Sequence, residues 1–230
     1  MRVPASMTYR DFQMVFVEKK MSVDEWKVTY KDGIMSLKDD AQVEQAKARN
    51  RKIFITNIAI DKVGYVEIPG FSIEESLELQ RQHRELLKIA QVSNNSDEVL
   101  ILRRWATAEN LEPLFGSTNE VDINNSIQAQ AFFRNSYARE IVLMHNHPST
   151  AGFSFADIGY LISNDYLELM TAVSNQGEVH CLKKMHDFDY NTAQKIYKDI
   201  YFKFNPDQQT EMAHDFIKHC REGGIIYVRS

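Results

Sequence analysis

The sequence predicts an α/β (α+β) fold, on three observations. Apolar runs of strand length recur along the chain, and segments of helical spacing with readable caps lie between them. In addition, 43% of the 230 residues are hydrophobic, enough to bury a core. No internal repeat or low-complexity segment interrupts the pattern.

Taken in order, the first fifty residues mix short alternating runs, MVFVE and WKVTY, with polar segments, and Lys31-Asp32-Gly33 has the composition of a hairpin turn. From Lys52 to Ile68, KIFITNIAIDKVGYVEI is expected to form one or two strands, ended by Pro69-Gly70. Ser72 and Glu75 have the spacing of a capping box, which predicts a helix from there to about Val92. After the polar loop SNNSD, Glu98-Val99-Leu100-Ile101-Leu102 is expected to be a buried strand with a carboxylate at its mouth. A loop holding Pro113 and Gly116 precedes a helix through QAQAFFRNS, then a strand from Glu140 to His145. A helix beyond Asp157, the run LMTAVS, a turn at Asn175-Gln176-Gly177 and EVHCLKK complete a helix and hairpin. The tail is expected to form two helices that break at Asn205-Pro206, then the short strand IIYV.

Composition narrows the function classes. A formal charge of −5 argues against binding nucleic acid by bulk electrostatics, and the basic run Lys47, Arg49, Arg51, Lys52 is expected to be a solvated helix face. Cys181 and Cys220 are too few for a disulfide framework or a four-thiolate zinc site, which fits a reducing compartment. MRVPASMTYRDFQ lacks the apolar core of a signal peptide and no apolar run reaches membrane-spanning length, so a cytoplasmic protein is expected.

The chemistry concentrates in IVLMHNHPSTAGFSFAD, residues 141 to 157. Side chains alternate faces along a strand, so His145 and His147 project to one side, close enough to share an ion, while Asn146 faces away. Pro148 ends the strand because it lacks an amide hydrogen. Asp157 is the candidate third ligand for zinc, brought back by a short loop that carries Gly152. Two imidazoles and one carboxylate would leave the ion one net positive charge and an open position, the pattern of a hydrolytic site. Hydrolysis also needs a general base, and Glu98, at the mouth of the upstream strand, is the candidate, with its neighbour Asp97 in competition. Ser154 lies one turn before Asp157, facing the site, and the same spacing is that of a capping box.

Together, Glu98, His145-Asn146-His147-Pro148 and Ser154-Phe155-Ala156-Asp157 resemble the JAB1/MPN/Mov34 (JAMM) metalloenzyme motif, a distant glutamate followed by H-x-H-P and S-x-x-D. The HNHPS form is most similar to the bacterial and phage RadC-like branch. The resemblance implies a central mixed sheet flanked by helices at residues 71–185, between an N-terminal flank (1–70) and a C-terminal helical extension (186–230). It also implies a zinc-dependent protease or isopeptidase acting on a protein or peptide, including a ubiquitin-like conjugate, with zinc on His145, His147 and Asp157, Glu98 as base and Ser154 steadying the oxyanion. Two rival expectations stand beside it: a non-catalytic JAB scaffold in a phage or mobile-element assembly, and a RadC-like DNA-associated protein, whose usual helix-hairpin-helix segment is missing from residues 1–70.

Other histidines have plainer expectations. Glu211 and His214 have half the spacing of a di-metal site and lack a second copy, so a surface helix is expected there. His180 and Cys181, adjacent in a strand, should face opposite ways, which argues against a nucleophilic pair.

Overall fold

In the computed structural model, which describes residues 52–118 and 120–230, the capping box at Ser72 opens a helix as its two hydrogen bonds require. The Ser72 hydroxyl accepts from the Glu75 amide at 3.2 Å, and the Glu75 carboxylate accepts from the Ser72 amide at 2.7 Å. The helices are α1 (Asn57–Asp61), α2 (Ile73–Ser93), α3 (Ile127–Arg134), α4 (Phe155–Ser163), α5 (Tyr190–Lys203) and α6 (Gln209–His219). The strands are β1 (Val99–Arg104), β2 (Glu109–Asn110), β3 (Leu114–Phe115), β4 (Ile141–His147), β5 (Leu167–Ser174), β6 (Val179–Lys184) and β7 (Ile225–Arg229). The hairpin expected at Lys31-Asp32-Gly33 lies outside the described residues.

Among the described residues, seven strands form one mixed sheet in the order β2-β1-β4-β5-β6-β7, with β3 also paired to β1. The pair β4 and β5 is parallel and every other pair is antiparallel. A parallel pair needs a crossover, and here it is the loop after His147 followed by α4. Helices cover both faces of β4, which is why IVLM reads as an unbroken apolar run instead of an alternating one.

The two faces have separate cores. On one, Leu79, Leu86, Leu87 and Ala90 of α2 form a stripe at helical spacing that meets Val99, Ile101, Val142, Met144 and Leu169. Each fully buried leucine there stabilises the fold by about 1.5–3 kcal/mol relative to exposure. His83 sits in the same stripe, 2.7 Å from the Thr171 hydroxyl, and burial, with His145 adding to it, pushes its pKa down to about 3, so it is neutral. On the other face, Leu100, Leu102, Leu143, Met170 and Leu182 pack beneath α3, α4, α5 and α6. Phe155 of α4 stacks on Tyr197 of α5 with ring centroids 4.0 Å apart and planes 2° from parallel.

The strand expectation for Lys52–Ile68 is overturned. Residues 57–61 are helical, with the Thr56 hydroxyl accepting from the Ala59 amide at 3.2 Å, and the flanks join no ladder. Their backbone groups are satisfied by side chains instead: Ile55 donates to the Ser96 hydroxyl at 3.0 Å, and Gln91 and Gln80 donate to the Ile55 and Val63 carbonyls at 2.9 Å. The apolar alternation was real, because Ile55, Ile60, Val63, Val66 and Ile68 are all buried, but they pack on α2 and the sheet without extending it.

Lys52 to Ser230 form one compact unit. Within it β7 pairs with β6 along its whole length, and α5 and α6 supply Ala193, Ile200, Met212 and Phe216 to the core. Among the described residues no helix is long and apolar enough to cross a membrane.

These contacts make a prediction about truncation. A fragment beginning at Lys52 should unfold cooperatively in urea, whereas one beginning at Phe71 should lose most of its stability, because it removes Ile55, Ile60, Val63, Val66 and Ile68 from the core they share with α2. Equal unfolding midpoints for the two fragments would contradict the packing described.

Candidate metal centre

The site is built at the end of β4. His145 lies opposite Leu100 of β1 and Ala172 of β5, on the face that carries α4. His147, two residues on, shares that face, and the two Nε2 atoms are 2.8 Å apart. Asn146 projects to the strand's other side, fully buried, as expected.

Asn146 has structural work there. Its carbonyl oxygen accepts from the Val99 amide at 2.8 Å, and its amide donates to the Asp97 carbonyl at 3.2 Å and to Asn175 Oδ1 at 2.9 Å. Asn175 in turn donates to the carbonyls of Ile53 at 2.7 Å and Ser96 at 2.9 Å. The loop before β1 needs this support, because Asn95 and Ser96 take φ of 49° and 63°, a left-handed conformation that is costly for L-residues. Held this way, the loop delivers Glu98 beside the histidines.

The structure separates the two competing acids. Asp97 pairs with Lys52 at 2.8 Å and accepts from the Thr118 hydroxyl at 2.6 Å. Its modest burial works against ionisation, yet these partners outweigh it and hold the carboxyl below its ordinary range. Glu98 is 8% exposed, and a carboxylate oxygen of it lies with ring nitrogens of His145 and His147 inside a span of 4.8 Å. Burial raises its pKa, against the pull of the two histidines. Glu98, His145 and His147 could therefore hold a metal ion.

Asp157 also stands beside both rings. One oxygen, Oδ2, is 3.5 Å from His147 Nε2 and 3.8 Å from His145 Nε2. Burial opposes the charge on Asp157, but the two histidines outweigh it and hold its carboxyl well below the usual range. Ser154 fixes that oxygen: its amide and its hydroxyl each donate to Oδ2 at 2.7 Å, and the hydroxyl oxygen accepts from the Asp157 amide at 3.1 Å. Ser154 thus forms the capping box of α4 and anchors the carboxylate at the same time. The structure brings all five residues expected from the sequence to one place, with Glu98 grouped with the two histidines as well as Asp157.

The remaining histidines divide clearly. Glu211 and His214 are exposed on α6. Cys181 faces the α2 core, while His180 turns to the opposite face, toward the loop at Gly152. His180 and its partner Tyr227, 2.7 Å away, were not legible as neighbours of the site, since only strand register brings residue 227 near residue 145.

The charges predict a pH profile for the metal-free protein. Burial alone would depress His147, but Asp157 and Glu98 prevail and raise its pKa to about 9. Its stabilising charge is then fully present below about pH 6.5 and lost as pH rises through about 9, while the Asp157 contribution is lost as pH falls below about 4. Chelator-treated protein should therefore resist urea best between about pH 5 and 7. The alkaline decline should vanish in His147→Asn, and a wild-type midpoint that stays flat up to pH 10 would rule out the pairing.

Compared with known proteins, the chain matches no family model, no curated protein and no solved structure.

Proposed function

We propose that this chain is a zinc-dependent hydrolase of the JAB/MPN type that cuts a peptide or isopeptide bond in a protein substrate. The observation that carries the reading is the convergence of His145 Nε2, His147 Nε2 and Asp157 Oδ2 at separations of 2.8, 3.5 and 3.8 Å. Ligand atoms on a tetrahedral zinc, with bonds of about 2.0–2.1 Å, lie about 3.3 Å apart, so the donor set fits the ion in number, type and spacing.

Bound there, zinc would supply a Lewis acid and lower the pKa of water to about 7. The protein's own groups account for the rest. Burial leaves Glu98 readier to hold a proton than a surface glutamate, and it faces the same pair of rings. It takes the proton of the attacking water as the C–O bond forms and hands it to the amine nitrogen as the C–N bond breaks. Ser154 holds Asp157 in place. To donate to the oxyanion, as the resemblance implies, its hydroxyl would have to turn its proton away from Oδ2. The substrate class, a ubiquitin-like conjugate or another protein tail, rests on the motif resemblance.

Metal content by mass spectrometry tests the ligand set. Wild type purified with zinc should carry about one ion per chain, His145→Ala/His147→Ala should carry none, and Glu98→Gln should keep the ion while hydrolysis falls about 10²–10⁴-fold. Loss of zinc in Glu98→Gln would make Glu98 a ligand instead of a base. Absence of zinc from the wild type would favour the scaffold alternative.

Ser154→Ala separates the two roles of the serine. It should cost about 1 kcal/mol of stability and weaken zinc binding, with kcat of the fully loaded enzyme falling less than about tenfold. A fall of about 10²–10³ at saturating zinc would instead assign the hydroxyl to the oxyanion.

A further inference from the structure

His180 stands on β6 opposite Ala172 of β5, which stands opposite His145 of β4. The two imidazoles therefore rise from one row of one sheet face, two strands apart, with an alanine between them. Tyr227 of β7 holds the far ring: its hydroxyl is 2.7 Å from His180 Nδ1. The other nitrogen, Nε2, is buried and has no hydrogen-bond partner among the described residues, and the same is true of His145 Nδ1. A buried ring nitrogen without a partner costs stability that an apolar side chain would not, so packing is a poor account of a histidine here.

The ring lies under the loop that joins the two halves of the site. A Cβ added at Gly152 would meet His180 Nδ1 at 3.0 Å and Cε1 at 3.2 Å, so the glycine backbone rests directly on the imidazole. The Gly152 carbonyl also lies near the His147 ring and favours its charged form. The next residue, Phe153, is 5% exposed and lies with its ring 6.2 Å from His145 and 6.5 Å from His180 between centroids. A histidine that ligates a metal is oriented by what the rest of its ring meets.

We propose that His180, held by Tyr227, is a positioning residue of the His145–His147 site, seating Gly152 and Phe153 against the two rings so that their Nε2 atoms converge. The proposal rests on the metal-site reading, and it makes the last strand of the chain part of that site.

Two readouts on the full chain test it: zinc affinity by competition with a chromophoric chelator, and the imidazole nitrogen signals of His147 in the metal-free protein by NMR. Tyr227→Phe and His180→Gln should weaken zinc binding about 10–100-fold with near wild-type unfolding midpoints, and should shift or broaden the His147 signals. Gly152→Ala should weaken binding too, and its effect should not add to that of His180→Ala, because both act through one contact. Ile200→Val, a core change on the same face, should lower stability and leave zinc affinity alone. Wild-type affinity together with unchanged His147 signals in Tyr227→Phe and His180→Gln would overturn the proposal. Should wild type itself bind no zinc, the metal reading fails, and the His147 signals alone decide the positioning role: shifted signals uphold it and unchanged ones overturn it.

Discussion

The buried amide of Asn146 is the contact on which the rest of the site depends. It lies between the two histidines in sequence and points the other way, so one strand serves two purposes through its two faces. With Asn175 it ties together the start of β1, the loop at Ser96 and Asp97, and the chain at Ile53. A fully satisfied buried network of this kind has one low-energy arrangement, because displacing any member strands several polar groups away from water. The position of Glu98 relative to the histidines is thus set by β4 itself.

Electrostatics then divide the neighbouring acids. Asp97 and Glu98 are adjacent in sequence, but one faces Lys52 and Thr118 while the other is buried beside two imidazoles. The first is held as a carboxylate and the second is pushed toward its protonated form. Asp157 is a third case: it is surrounded by donors, namely the Ser154 amide and hydroxyl, and stands beside both rings. The two carboxyls beside the same histidines are thus shifted in opposite directions by their surroundings.

Much of the fold was legible in local signals, and the failures have a common cause. The capping boxes at Ser72 and Ser154, the turn at Gly177 with its φ of 93°, and the break at Asn205-Pro206 are all local events, readable because their hydrogen bonds and torsions lie within a few residues. Lys52–Ile68 misled because its apolar spacing records burial, and burial against α2 leaves the same trace as burial in a strand. Likewise, nothing local in IIYV says that it will pair with β6.

By itself the sequence determined which residues could share an ion. Strand periodicity puts His145 and His147 on one face, and a capping box puts the Asp157 carboxylate at the start of a helix. Only the tertiary structure decided that Glu98 and not Asp97 faces those histidines, and that His180, held by Tyr227, lies against Gly152 in the loop that follows them. The physical reason is that spacing along a chain sets direction within one element, whereas adjacency between elements is set by register and packing, which join residues far apart in sequence.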